Sequence, residues 1–217
     1  MKKIILFDLD GTLIDSTPAI VHSFNTAFTL LDKDTPDINK LKSLIGHTLE
    51  DMFVMLGVRK DEVNNYVDAY RQAYHKVYLE QTTLIESAKE ALKEAYSFAD
   101  LGVVTTKGSL FLPNLLKHLG VFDYFKVLIG KNDVTYPKPN PEPINLALSR
   151  LNSSEKQREN TFMIGDTPLD IQAANSANVT ALSVLCGYCD FSILSQYNDK
   201  IFKNPLEAVL FAKEFGC

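Results

Sequence analysis

Four apolar residues in a row, Ile4, Ile5, Leu6 and Phe7, follow Lys3, and Gly11 stops the run. A short β-prone run of this kind predicts a strand buried on both faces, as strands of parallel sheets are. The period then changes. Ile20, Phe24, Ala27, Phe28 and Leu31 fall at helical spacing; so do Leu49, Met52, Phe53 and Leu56, and then Val63, Tyr66, Val67, Tyr70, Tyr74 and Val77. Together with "INKLKSLIG" these stretches predict an all-helical block over 16–81. Asp61 and Glu62 suit the start of its last helix, where the dipole favours anions.

From Thr82 onward, strand-type and helix-type stretches alternate. "ESAKEALKEAY", "LFLPNLLKHLG", "PEPINLALSRLN", "PLDIQAANSAN" and "PLEAVLFAKEF" read as helices; "LGVVT", "FKVLIG", "TFMIG", "VTALSVL" and "KIF" read as strands. Such alternation predicts an α/β fold with a doubly wound, Rossmann-like parallel sheet. The expected organisation is a core domain from 1–15 and 82–217, with the helical domain 16–81 inserted after the first strand.

Ligands of such sheets bind beyond the carboxyl ends of the strands, and here those ends carry the candidate chemistry. Asp8 and Asp10 follow the first strand. If strand geometry persists, their side chains point the same way, and two like charges at one place raise a pKa or demand a cation. Turn chemistry accounts for Asp10 beside Gly11. It does not account for Asp8 in an apolar run, where a buried carboxylate needs a partner. Magnesium suits that need, because it takes a few carboxylates together with phosphate oxygens and water. "LGVVT" ends in Thr105, with Thr106 next; "TFMIG" leads into "GDTPLD", which holds Asp166 and Asp170; and the loop "YPKPNPEP" carries Lys138 between prolines that restrict where it points. Helix capping by Asp166 or Thr167 explains part of this pattern, but not why three strands end in Asp or Thr. For Arg71 an exposed ion pair, and for His47 turn polarity, are the simpler readings, with substrate contact as the alternative.

Composition narrows the partners. The 217 residues are 46% apolar and 23% charged, with a net charge of −5. No broad basic field invites nucleic acid, and an anionic ligand would need local positive charge. No stretch approaches the length of a membrane span, and the apolar run at the start is too short for a signal peptide, so the expected location is cytoplasmic. Cys186 and Cys189 form a lone CxxC, and Cys217 makes the count odd. Without further ligands the pair does not make a zinc site, and two reduced thiols in a loop are expected.

"DLDGT", "VVTTK", the Lys138 loop and "GDTPLD" stand in the order and spacing of the haloacid dehalogenase-like hydrolases, which the chain resembles over nearly its whole length. The helical insert resembles the cap of the subgroup that includes phosphoglycolate phosphatases, β-phosphoglucomutases and a cytosolic inorganic pyrophosphatase. By that resemblance Asp8 is the expected nucleophile, forming an aspartyl-phosphate, and Asp10 the general acid and base. Thr105, with Thr106 beside it, and Lys138 are the expected phosphate ligands. Mg²⁺ is expected on Asp8, Asp166 and the Asp10 carbonyl, with Asp170 supporting the metal or Lys138. The implied activity is a phosphatase acting on a small phosphorylated metabolite of phosphoglycolate type. The alternatives are a pyrophosphatase, a β-phosphoglucomutase-like phosphotransferase, a phospho-receiver module and a non-catalytic binding protein. One departure concerns the return from the cap, where similar chains often carry Pro-Gly and this one has "IESAKE".

Overall fold

The computed structural model of the chain describes residues 2–215. In chain order, β1 (Lys3–Phe7) and β2 (Ile14–Asp15) are followed by the helices α1 (Thr17–Leu30), α2 (Ile38–Ser43), α3 (Leu49–Met55) and α4 (Val63–Val77). Next come β3 (Thr83–Leu84), α5 (Ala88–Tyr96), β4 (Ala99–Val104), α6 (Leu112–His118), β5 (Phe125–Ile129) and α7 (Glu142–Arg150). The chain closes with β6 (Thr161–Gly165), α8 (Pro168–Ser176), β7 (Thr180–Val184), α9 (Phe191–Leu194), β8 (Ile201–Phe202) and α10 (Pro205–Glu214). Every expected helix and strand is present. The short α9 and the two-stranded ribbon of β2 and β3 were not anticipated, because two residues per strand are too few to show a period.

Six strands pair in parallel in the order β5-β4-β1-β6-β7-β8. The first strand is therefore central, and the order reverses on either side of it, which is the doubly wound arrangement. Alternation along β1 divides its side chains between two cores: Ile5 and Phe7 pack on one face, Ile4 and Leu6 on the other. Burial on both faces is why this strand reads as an unbroken apolar run. Phe7 lies opposite Val103 and Ile164, so the residues that follow these three strands reach one edge of the sheet together.

The four helices of 16–81 pack around aromatic rings. Phe24 and Phe53 are fully buried, with ring centroids 4.6 Å apart, and Tyr70 stacks on Tyr74 at 5.5 Å. We propose that these helices form a cap whose two crossings to the core are β2 and β3, which pair antiparallel. Residues 1, 216 and 217 of the expected core lie outside the described residues. Among the described residues, no helix is long and apolar enough to cross a membrane.

At the return from the cap, Ser87 adopts φ +70°, the left-handed conformation that glycine tolerates best. This is the stretch where the sequence departs from Pro-Gly. The Ser87 hydroxyl is also buried without a hydrogen-bond partner. A side chain in that conformation costs about 1–2 kcal/mol, partly offset by the greater freedom glycine has in the unfolded chain. Ser87→Gly is therefore expected to stabilise the protein by about 1 kcal/mol in urea unfolding; a loss of stability would contradict this account of the hinge.

Candidate active site

Asp8 is the first residue beyond β1. Its N–H still donates to the Ile164 carbonyl at 2.8 Å, which holds the residue at the centre of the sheet edge. The side chain is buried. One carboxylate oxygen each from Asp8, Asp166 and Asp170 lie within 4.8 Å of one another, and all three residues are buried. A single ammonium enters this cluster: Lys138 Nζ stands 2.9 Å from Asp8 Oδ1 and pairs with Asp170 Oδ1.

The surroundings fix each carboxylate differently. Thr167, at the start of α8, donates to Asp170 Oδ2 from its N–H at 3.1 Å and its hydroxyl at 2.7 Å. With Lys138 on its other oxygen, both oxygens of Asp170 have donors. Asp166 accepts Thr12 Oγ1 at 3.0 Å and the Tyr188 N–H at 2.8 Å, one donor per oxygen, so each oxygen keeps a lone pair. A Cβ on Gly11 would sit 2.4 Å, and one on Gly187 2.1 Å, from Asp166 Oδ2; both loops approach this carboxylate because they carry glycine there. Asp8 Oδ1 is buried, with the Lys138 ammonium as its ion-pair partner.

Burial, opposed by Lys138 and reinforced by Asp170, pushes the Asp8 carboxyl up to about 7. Burial, then Asp8 and Asp170, raises Asp166 well above the usual carboxylate range. Burial alone would depress the Lys138 ammonium; Asp170 and Asp8 outweigh it and hold the group above its ordinary value. Three carboxylates against one ammonium leave the cluster short of positive charge. Asp166, whose oxygens each keep a lone pair, and Asp8 beside it fit a hard divalent cation such as Mg²⁺.

Asp10 does not join this cluster. Strand pairing ends at Phe7, and the chain turns, with Gly11 N–H donating to the Ile14 carbonyl at 2.9 Å. Asp10 Oδ1 instead accepts the Ser16 hydroxyl and pairs with Lys107 Nζ at 3.1 Å. Thr105 is buried, and its hydroxyl accepts the Lys107 N–H at 3.2 Å. Thr106 donates its hydroxyl to the Gly46 carbonyl of the helical segment at 2.9 Å, so that group is committed to holding cap and core together. A cavity of about 90 Å³ opens between the two beside Asp10, lined by Thr106 and Lys107 below and by His47, Met52 and Arg71 above. Arg71 pairs with Glu50 at 3.5 Å, the ion pair expected of it, while also lining this cavity.

Thr12, Lys107 and Tyr188 were not singled out from the sequence. Thr12 and Lys107 sit inside "DLDGT" and "VVTTK", so adjacency to a motif was an available signal. Tyr188 acts through its backbone, which no side-chain pattern reveals. Cys186 and Cys189 are free thiols, pushed up by burial to about 12 and about 11, the reverse of what an attacking thiolate requires. Cys217 lies outside the described residues.

A carboxyl that stays protonated to about pH 7 when folded, and only to the ordinary carboxylate range when unfolded, binds more protons in the native state between those limits. Its stabilising contribution is complete at about pH 4 and is lost as pH rises through the folded value. The melting temperature of metal-free protein is thus expected to fall between about pH 5 and about pH 8. Asp8→Asn should flatten that fall, as should Mg²⁺. A metal-free profile that rises over this interval would contradict the electrostatic account.

Residues 5–184 match the model of the haloacid dehalogenase-like hydrolase family. The chain is 33% identical to pyrophosphatase PpaX of Bacillus velezensis, over 89% of this chain and 88% of that protein. It is 29% identical to a phosphoglycolate phosphatase of Colwellia psychrerythraea, over 90% of each. A solved structure of a haloacid dehalogenase-like family hydrolase from Streptococcus pneumoniae superposes with a TM-score of 0.86 at 28% identity, covering 97% of this chain and 98% of that one. The match along the sequence and the shared fold agree: the chain belongs to the haloacid dehalogenase-like hydrolases and is an enzyme of that family.

Proposed function

We propose that the enzyme is a Mg²⁺-dependent phosphatase that hydrolyses a small phosphomonoester of phosphoglycolate type through a phosphorylated Asp8. The observation that carries this reading is the buried cluster of Asp8, Asp166 and Asp170, with Lys138 Nζ 2.9 Å from Asp8 Oδ1. Buried structural carboxylates are paired charge for charge. Here three carboxylates face the Lys138 ammonium.

Asp8 attacks phosphorus with a carboxylate oxygen; an Asp8 O–P bond forms and the ester P–O bond breaks. Lys138 sets positive charge beside the attacking oxygen, which lowers its repulsion by the phosphate. The Thr105 hydroxyl donates to a phosphate oxygen. Asp10 gives its proton to the departing alkoxide, then as a carboxylate takes one from the water that attacks phosphorus and releases Asp8. Asp170 keeps Lys138 aimed, and Thr12 and Tyr188 keep Asp166 aimed. Magnesium, bound by Asp8, Asp166 and the Asp10 carbonyl, would neutralise phosphate charge and help hold the reactants in line.

The cavity beside Asp10, about 90 Å³, is where the leaving group would sit. Its lining includes Ile20, Ile45, Leu49 and Phe111, which favours a short carbon chain, with His47 and Arg71 on the same wall for a carboxylate. Pyrophosphate is the second reading, favoured by the similar size of its leaving group and by the resemblance to a pyrophosphatase.

Assayed with Mg²⁺, the enzyme is expected to turn over phosphoglycolate faster than pyrophosphate, and hexose phosphates slowest. Asp8→Asn should fold normally and lose at least about a thousand-fold in kcat. No turnover of any ester or of pyrophosphate would refute the phosphatase reading, and full activity of Asp8→Asn would refute the nucleophile.

A further inference from the structure

We propose that Lys107 is a positioning residue that fastens Asp10 to the cap, so that Asp10 is in its acting place only when the cap is closed. The inference rests on the phosphatase reading and adds a control element to it.

Lys107 follows Thr105 and Thr106 at the end of β4. Its side chain is only 7% exposed. The ammonium donates to Tyr74 Oη at 2.8 Å and pairs with Asp10 Oδ1 at 3.1 Å. Tyr74 belongs to α4, the last helix of the cap, and its ring is fixed by stacking against Tyr70 and Tyr78. Ser16, whose hydroxyl donates to the same Asp10 oxygen, stands at the start of α1, the first cap helix. Both groups that hold the Asp10 carboxylate are therefore tied to the cap, one at each end of the inserted segment.

A buried ammonium is an expensive way to fill space, since its desolvation costs several kcal/mol unless its partners are well placed. A methionine would pack at this position without that cost. The Lys107 N–H engages the Thr105 hydroxyl at 3.2 Å, and the residue before it holds the Gly46 carbonyl. Three consecutive residues thus aim a phosphate donor, latch the cap and position the acid. When the cap lifts, Tyr74 withdraws, Lys107 loses one of its two partners, and the Asp10 carboxylate is freed to turn away. Proton transfer is thereby confined to the closed, water-poor state.

The test exploits the leaving group. kcat/KM reports steps through transfer of phosphorus to Asp8, and only a poor leaving group needs the proton from Asp10. Lys107→Met is expected to lower kcat/KM for phosphoglycolate by about 30-fold or more, and for 4-nitrophenyl phosphate by no more than about 3-fold. Tyr74→Phe, which keeps the stacked ring, should show the same bias at about 5-fold on phosphoglycolate, and Lys107→Arg should recover part of the loss. Equal losses on both esters would mean that Lys107 acts on the phosphate or on the fold, and would overturn the inference, as would unchanged kinetics. Should Lys107→Met fail to fold, Tyr74→Phe decides alone by the ratio of the two esters. A wild-type enzyme that cleaves neither ester overturns the phosphatase reading and this inference with it; a wild-type enzyme that cleaves both, with the ratio unmoved in the variants, overturns this inference alone.

Discussion

Three carboxylates share one buried site with a single ammonium, and the rest of the edge is arranged around that imbalance. Asp8 reaches it from the end of β1, Asp166 from the turn after β6 and Asp170 from the first turn of α8. Lys138 offsets one negative charge, and neighbouring donors stabilise Asp166 and Asp170. What remains is an excess of negative charge, which the metal-free protein relieves by raising the Asp8 carboxyl to about 7 and which a bound cation would relieve instead. The parallel sheet makes the arrangement possible because it delivers several chain ends to one edge, and glycines at 11 and 187 let two loops close on Asp166.

The fold was legible because each element's period was long enough to read. The run Ile4–Phe7 marked a central strand, and Val63 to Val77 marked an amphipathic helix. The ribbon of β2 and β3 escaped notice because it is defined by pairing and has no period of its own. Asp8, Lys138, Asp166 and Asp170 were legible through motif order, and they meet at one place. The partners of Asp10 were not, because Ser16 and Lys107 are brought to it by the turn after β1 and by the end of β4. Thr12 bonds Asp166 across 154 positions, and Lys107 bonds Tyr74 across 33; contacts of that separation leave no local pattern.

The helical segment contributes a different kind of order. Its interior is aromatic, centred on Phe24 and Phe53, and it runs into the core without a break, with Tyr74 and Tyr78 each 5.2 Å from Phe111. Polar links join the same two parts: Thr106 to Gly46, Lys107 to Tyr74, and Glu50 to Lys131 at 3.2 Å.

The central claim is that the Asp8 carboxylate takes up phosphorus. It is tested most directly by quenching the Mg²⁺-loaded enzyme in acid during turnover of a phosphomonoester and mapping its peptides by mass spectrometry. The account predicts the mass of one phosphoryl group on the peptide containing Asp8, bound as an acid-stable, base-labile acyl phosphate. Phosphate trapped on any other residue, or none trapped from an enzyme that is turning over, would contradict it.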